Sequence, residues 1–242
     1  MGSSDALPQL PPLFFSEAAE HPFAHAIARA RAGTEPGLVT YQPQPRSLNA
    51  ALVLAPEVPL EDAMAMLLAA GNGFGDAFGA LAPSETACQF EWPGGIRING
   101  ARCGKLRAAA STYDPAAEPD WLVIGLDVPL SYETGPDAEP GSRPDETTLW
   151  AEGCGDITTI QLLESWTRHT LVWIHEWLDA GMSRIHRDWV GRAWQVSAPI
   201  AVTVGDETAS GVFTGLDERG GLILKDGTRT RHFPLSATLE KV

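Results

Sequence analysis

Two segments of this 242-residue chain carry residue types that do chemistry. The first is Phe90-Glu91-Trp92-Pro93-Gly94-Gly95-Ile96-Arg97-Ile98-Asn99-Gly100-Ala101-Arg102-Cys103-Gly104-Lys105. It reads as a strand, a Pro-Gly-Gly break, a hairpin turned at Asn99-Gly100, and a second strand bearing Arg102, Cys103 and Lys105. A glycine pair at such a break lets backbone N–H groups come close to a ligand. The second segment is Trp150-Ala151-Glu152-Gly153-Cys154-Gly155-Asp156, a loop just ahead of a long helical pattern. A cysteine near a helix N-terminus has a depressed pKa and is a nucleophile. The other reading of Cys154 is a half-buried thiol acting as a small hydrophobe, the commonest fate of a free cysteine.

Other chemistry-bearing residues form no site. Gly71-Asn72-Gly73-Phe74-Gly75 matches neither the dinucleotide nor the Walker spacing and follows a helix instead of a strand, so it is read as a flexible helix terminus. His21 and His25 are four apart but have no carboxylate partner in the pattern. His169 and His175 lie about 120° apart around their helix and cannot close on one ion. All four are read as surface histidines, and no metal site is expected.

The elements that would position the two segments follow from periodicity. Met1 to Leu13 is an extended arm, and Glu17 to Ala32 is helical with Ala26, Ile27 and Ala30 on one side. Leu38 to Gln42 and Asn49 to Leu54 are strands bounded by Pro and Gly. Leu60, Met64, Leu67 and Leu68 mark a helix that stops at Gly71. Strands then run over Cys88–Trp92, Ile96–Ile98, Arg102–Ala109 and Trp121–Val128, and Tyr132 to Glu146 is a loop. Ile157 to Asp179 is the clearest helix, with Ile160, Leu163, Leu171, Ile174 and Leu178 on one stripe beside Trp166, Trp173 and Trp177. A shorter helix covers Ser183–Trp194. From Pro199 the chain has only short strands, with Asp226-Gly227 as a tight turn. The expected architecture is α+β: a mixed sheet with flanking helices over residues 1–195, and a small β-barrel over 196–242.

Composition bounds the function classes. Lys and Arg number 17 against 31 Asp and Glu, a net charge of -14. A chain that grips phosphate backbones needs the opposite balance, so neither nucleic acid nor an anionic membrane is an expected partner. No apolar run reaches the roughly 20 residues that span a bilayer. Three cysteines in no ligand spacing point to a reducing compartment. The first residues lack a charged leader before an apolar block, and Ala6 stands where myristoylation wants Ser or Thr. The expected location is cytoplasmic.

Trp92-Pro93, two small residues, Asn99-Gly100 and then a Lys-bearing strand resemble the signature hairpin of the biotin protein ligases, K-W-P-N-D followed by a Lys-Leu-Ala-Gly strand. Val39-Thr40-Tyr41-Gln42 is similar to the strand that ends in the family's ligand-contacting glutamine. Trp121 to Val128 is similar to its I-G-x-G-x-N-V strand. The long helix, Trp189 and the β-tail with Gly211, Gly215-Leu216-Asp217 and Gly221-Leu222-Ile223-Leu224 follow in the family's order. The broader family holds lipoate ligases and octanoyl transferases on the same sheet. The resemblance implies that Gln42 and Arg46 bind ligand, that Glu91, Trp92, Gly94, Gly95 and Gly125 line the pocket, and that Lys105 is the surviving cation.

The resemblance also has departures. Glu91 stands where the family has a lysine, and charge reversal there should repel an anionic nucleotide. Gly94-Gly95 replaces Asn-Asp. The Gly-Arg-Gly-Arg loop gives way to Pro43-Gln44-Pro45-Arg46, and the helical DNA-binding extension of the repressor-type ligases is not expected, in keeping with the acidic charge.

Three functions are implied. The leading one is a ligase that activates biotin, lipoate or a similar carboxylic acid with ATP and magnesium and passes it to a lysine of a biotin- or lipoyl-carrier domain. The second is an octanoyl or lipoyl transferase with Cys154 as nucleophile and Lys105 as its activating base. The third is a ligand-binding protein without turnover. A homodimer is the oligomeric state the resemblance allows.

Overall fold

The computed structural model describes residues 7–132 and 145–242. Most of the loop read over Tyr132 to Glu146, and the start of the arm, lie outside these residues. The arm's described part, 7–14, contains neither helix nor strand. In chain order the elements are β1 (Phe15–Ala18), α1 (Pro22–Arg31), β2 (Leu38–Tyr41), β3 (Ser47–Leu54), the single turn α2 (Leu60–Ala63), α3 (Ala65–Leu81), β4 (Cys88–Glu91), β5 (Gly95–Ile98), β6 (Ala101–Ala110) and β7 (Leu122–Pro129). Then come α4 (Thr159–Ala180), α5 (Met182–Gly191), β8 (Pro199–Val204), β9 (Glu207–Leu216), β10 (Leu222–Asp226) and β11 (Arg229–Phe233).

Strands β1 to β7 form one sheet in the order β1-β2-β3-β7-β6-β5-β4, and β8 to β11 form an antiparallel sheet of their own. The first pair of the large sheet is parallel and the rest antiparallel. Alternation along the strands divides the large sheet's side chains between two faces. Leu48, Ala50 and Leu52 of β3, Leu106 and Ala108 of β6, and Ile124, Leu126 and Val128 of β7 face the main core, shared with α3, α4 and α5. Ala51, Val53, Ala109 and Val123 face the other way, onto Phe23, Ala26, Ile27 and Ala30 of α1. Helix α4 starts at a reciprocal cap in which Thr158 Oγ1 accepts from the Gln161 amide at 3.3 Å and Gln161 Oε1 accepts from the Thr158 amide at 3.1 Å. The small sheet joins the main core through Phe213, Leu216, Leu222, Leu224 and Phe233.

Three expectations are corrected. Glu17 and Ala18 belong to strand β1, in register with Thr40 and Tyr41, and the helix begins only at Pro22, where a missing N–H costs nothing. The helix expected to stop at Gly71 continues as α3 to Leu81. Its glycines are a packing surface: a Cβ on Gly73 would lie 2.5 Å from Thr170 Oγ1 and 2.9 Å from Thr170 Cα, and one on Gly75 would lie 2.7 Å from Arg192 Nη1. The buried face of α4 follows from this. It is Leu162, Leu163, Ser165, Trp166, Thr167, Thr170 and Trp173 that are buried, whereas Leu178 of the expected stripe is 65% exposed. The close approach is local to Thr170, which faces Gly73, while Trp166 on the same face donates its indole N–H to the Ala70 carbonyl of α3 at 3.1 Å.

Candidate functional site

Strand register assembles the site. Glu91 pairs with Gly95, Gly95 with Lys105, Lys105 with Asp127, and Asp127 with Asn49. The Gln42 amide then donates to the Asn49 carbonyl at 3.0 Å. Directly paired residues share a face, so a single row of side chains crosses the sheet from Gln42 to Glu91. That face is the one α1 covers only in part.

Two clefts open over the row. One, of about 540 Å³, lies against the start of α1 and is lined by Glu20, His21, Phe23, Ile27, Gln42, Asn49, Arg107, Asp127, Glu240 and Val242, with others. The second, of about 380 Å³, is lined by Ser47, Asn49, Arg102, Cys103, Gly104, Lys105, Asp127 and Thr147 among others. Asn49 and Asp127 belong to both, so the clefts meet over the middle of the row.

The amide end is ordered by side-chain hydrogen bonds. Gln42 Oε1 accepts from Gln44 Nε2 at 2.9 Å and from Asn49 Nδ2 at 3.0 Å, and Asn49 Nδ2 also reaches Ser47 Oγ at 2.9 Å. With its oxygen engaged twice, Gln42 keeps its NH₂ group for other partners. In the centre, Asp127 Oδ2 lies 3.1 Å from Arg107 Nε. Burial raises the Asp127 pKa and nearby Glu240 adds to the rise, while Arg107 and Lys105 pull it back. Lys105 is exposed and, among the described residues, forms no ion pair.

At the far end Glu91 is enclosed by cations. Arg97 Nη2 donates to Glu91 Oε1 at 2.6 Å and Arg102 Nε to Oε2 at 3.2 Å. The Arg97 guanidinium also lies 4.9 Å from the Trp194 ring centre. The charge reversal expected to repel an anion is therefore matched by two arginines. One of them, Arg102, has a side chain 60% exposed.

The remaining expected residues are placed elsewhere. Trp92 is buried, and its indole N–H donates to the Gly220 carbonyl at 2.9 Å, fastening the hairpin to the β9–β10 turn. The Gly94 and Gly95 sites are filled by the hairpin itself: a Cβ on Gly94 would lie 2.5 Å from the Leu106 carbonyl oxygen, and one on Gly95 would lie 2.9 Å from Glu91 Cβ. Over Gly125 sits the Phe23 ring, 2.6 Å from where a Cβ would be. None of these glycines lines either cleft. Arg46 is exposed, and its carbonyl receives the Leu130 and Ser131 amides at 2.7 and 3.0 Å.

Cys154 and Lys105 are not brought together. Cys154 is 3% exposed and belongs to the main core, on the side of the sheet away from Lys105. Burial raises its pKa and Glu152 adds to this, against a lowering hydrogen bond from Thr86. The depressed pKa expected of a nucleophile is not what this environment produces. Cys88 is pushed up to about 12 by burial, and burial raises Cys103 further.

Asn49, Asp127, Arg107 and Glu240 were not among the candidates. Asn49 and Asp127 sit on the polar phase of otherwise apolar strands, and Arg107 is two residues after Lys105 on the same face; that alternation was the available signal. Glu240 carries none, since it reaches Arg107 across 133 positions.

The fold has known counterparts. Residues 10–191 match the biotin/lipoate A/B protein ligase family, and residues 199–236 match the biotin protein ligase C-terminal domain. A biotin–[acetyl-CoA-carboxylase] ligase of Paracoccus denitrificans is 25% identical over 174 residues, 72% of this chain and 72% of its own. A biotin protein ligase-like protein of unknown function from Silicibacter sp. TM1040 superposes with a TM-score of 0.88 at 49% identity, covering 97% of this chain and 100% of its own. Biotin protein ligase from Aquifex aeolicus, in complex with biotin and ATP, has the same fold, with a TM-score of 0.69 at 13% identity over 90% of this chain and 95% of its own. The match over 10–191 takes in the whole large sheet and every residue of the row, and on it the chain belongs to the biotin/lipoate A/B protein ligase family.

Proposed function

We propose that the protein is a biotin protein ligase-like enzyme that takes biotin, or a similar ring-bearing carboxylic acid, onto the open face of the large sheet and passes it to a lysine of a carrier domain. The observation that carries this reading is the row with Arg107 beside it: neutral amides at Gln42 and Asn49, Asp127 paired with Lys105, and Arg107 two residues further along β6 with its Nε 3.1 Å from Asp127 Oδ2. Gln42 and Asn49 suit a polar, uncharged ring. The two cations suit a carboxylate, which they hold by charge-assisted hydrogen bonds. Lys105 is the unpaired one and meets the carboxylate where it reacts.

ATP would supply the adenylyl group that turns the carboxylate into an acylating agent. Arg102 and Lys105 are the cations this chain offers to its phosphates. Among the described residues no group of three or more His, Cys, Asp or Glu is placed to hold a metal. Magnesium would arrive on the nucleotide rather than in a protein cage. The chain's own residues bind and orient the acid and hold positive charge beside its carboxylate. The partner is a biotin- or lipoyl-carrier domain, and the setting is cytoplasmic.

A second reading, binding without turnover, is favoured by the Glu91–Arg97–Arg102 cluster, which engages the hairpin's charged groups with one another. The Cys154 transferase is disfavoured by the buried, protonated thiol.

Native mass spectrometry with biotin and Mg-ATP separates the readings. A ligase retains a biotinyl-adenylate, and Lys105→Ala abolishes it. Biotin bound without adenylate marks a binding protein. With an octanoyl-carrier donor in place of biotin and Mg-ATP, a covalent octanoyl adduct lost in Cys154→Ser would restore the transferase.

A further inference from the structure

The segment after β11 returns to the ligand face. Leu239 is buried in the main core, the Glu240 amide donates to the Ala108 carbonyl at 2.8 Å, and the Tyr113 hydroxyl donates to the Glu240 carbonyl at 3.2 Å while receiving the Val242 amide at 3.1 Å. Strand β5 accompanies β6 only as far as Lys105, so residues 239–242 run beside the half of β6 that β5 leaves uncovered. This strap brings Glu240 and Val242 to the wall of the larger cleft.

There the Glu240 carboxylate meets Arg107, and the contact is loose. Arg107 Nη1 lies 3.5 Å from Glu240 Oε2, and Arg107 Nε is buried without a hydrogen-bond partner although Asp127 is near. The guanidinium is held over the Phe23 ring at 4.2 Å. A planar fork of five donors is thus fixed in position, lines a cleft, and has one long hydrogen bond to a carboxylate. That is the geometry of a carboxylate-binding arginine occupied by a weak internal substitute.

We infer that Glu240 is a built-in competitor of the acid ligand: it occupies Arg107 until a ligand carboxylate takes its place, and the strap moves aside when it does. This rests on the reading above that the cleft takes a carboxylic acid. It adds a gating residue, carried by the segment that follows the small sheet. Electrostatics fixes the direction. Glu20, Asp127 and Glu240 all face the cleft against one guanidinium, so an anion entering it gains when one carboxylate is neutralised.

The test is calorimetric titration of the full chain with biotin and, separately, with octanoate. Glu240→Gln should tighten binding of the acid about fivefold, the size expected for removing one partly exposed ion pair. In an Arg107→Gln background the gain should shrink to the part that comes from removing a negative charge from the cleft, and Arg107→Lys, which keeps the charge and loses the fork, should give an intermediate result. Hydrogen exchange at the Glu240 amide should quicken when the acid is added to the wild-type chain. Biotin binding that is equal in wild type, Glu240→Gln and Arg107→Gln would overturn the gate and leave the biotin reading standing. Glu240-dependent binding of octanoate alone would support the gate and remove biotin as ligand. Binding of neither acid to any variant would overturn both.

Discussion

The ring of Phe23 occupies the space that a side chain at Gly125 would need, with Phe23 Cδ2 2.6 Å and Arg107 Cγ 3.1 Å from the Cβ position. Helix α1 therefore packs against bare backbone at the middle of β7, and the closeness of that packing sets the width of the cleft beside it. Gly125→Ala should push Phe23 outward and destabilise the fold by about 1–3 kcal/mol, the usual cost of overpacking a fitted contact. Phe23→Leu in the same chain should restore part of the loss. Urea denaturation of the three variants measures it, and equal stability of Gly125→Ala and wild type would refute the contact's role.

Restoring a lysine at position 91 should not restore a family-like site. Arg97 has a side chain 12% exposed and donates to Glu91 Oε1 at 2.6 Å as well as to the Gly100 carbonyl. Glu91→Lys removes that partner and adds a like charge, with Arg102 close by. A loss of about 2–4 kcal/mol is expected, below the roughly 3–5 kcal/mol of a fully buried pair because Glu91 keeps some exposure, with the added repulsion working against that discount. Glu91→Gln, which keeps one acceptor oxygen, should lose less. Thermal melts at matched pH compare the two, and a stabilised Glu91→Lys chain would show that the arginines are free to turn away.

Of the row, Gln42, Glu91 and Lys105 are legible in the sequence, because strands alternate. Residues at even spacing share a face until a bulge intervenes: the β5–β6 register shifts after Ile96, so Cys103 lies in the main core although it is two residues from Lys105. What failed was the reading of Gly71 to Gly75. In sequence, glycine signals the end of a helix because its backbone is costly to order. At Gly73 the opposing term wins: without a Cβ, α3 approaches α4 closely enough for Thr170 Cα to lie 2.9 Å from the position a Cβ would take. No single-chain pattern says which partner a glycine face will meet. The same limit hid Cys154, whose position in the chain suggests a helix N-terminus and whose burial depends on elements far away.

Gly73→Ala tests that account directly. The clash is with Thr170 backbone as well as its hydroxyl, so no side-chain rotation relieves it. Despite the better helix propensity of alanine, a net loss of about 2 kcal/mol or more is expected. Gly79→Ala serves as the control on the same helix, since nothing lies within 4 Å of its Cβ position. There the propensity term acts alone, and a gain of up to about 1 kcal/mol should appear. A stabilised Gly73→Ala would remove the packing explanation.

The buried thiols predict an alkaline limit to stability. Cys88 rises from an ordinary 9.0 to about 12 because burial disfavours the thiolate. A group whose pKa is higher in the folded state stabilises the fold below its unfolded value, and that contribution is lost as pH rises toward the folded one. Stability should therefore fall between about pH 9 and 12, and Cys88→Ala should flatten the fall by removing one titrating group. Thiol-reagent labelling at pH 8 should be slow for the buried Cys103 and Cys154 in the native protein, faster for the part-exposed Cys88, and fast for all three in urea. Rapid native labelling of Cys154 would contradict its burial and reopen its candidacy as a nucleophile.

Asp127 gives the opposite experiment at neutral pH. Its pKa is raised, chiefly by burial and then by Glu240, even after Arg107 and Lys105 have pulled it down. Its protonated form is thus the one the fold prefers, and the associated stability is present in acid and lost as pH climbs through the raised value. At pH 7 the ionised carboxylate is a net cost, so the neutral isostere Asp127→Asn should raise Tm there and leave it nearly unchanged at about pH 3. The same change leaves Lys105 and Arg107 less neutralised and should strengthen acid binding alongside Glu240→Gln. A lower Tm at pH 7 would mean that the pairing with Arg107 outweighs the burial, and would make Asp127 a structural anchor of the guanidinium instead of a charge the site carries at a cost.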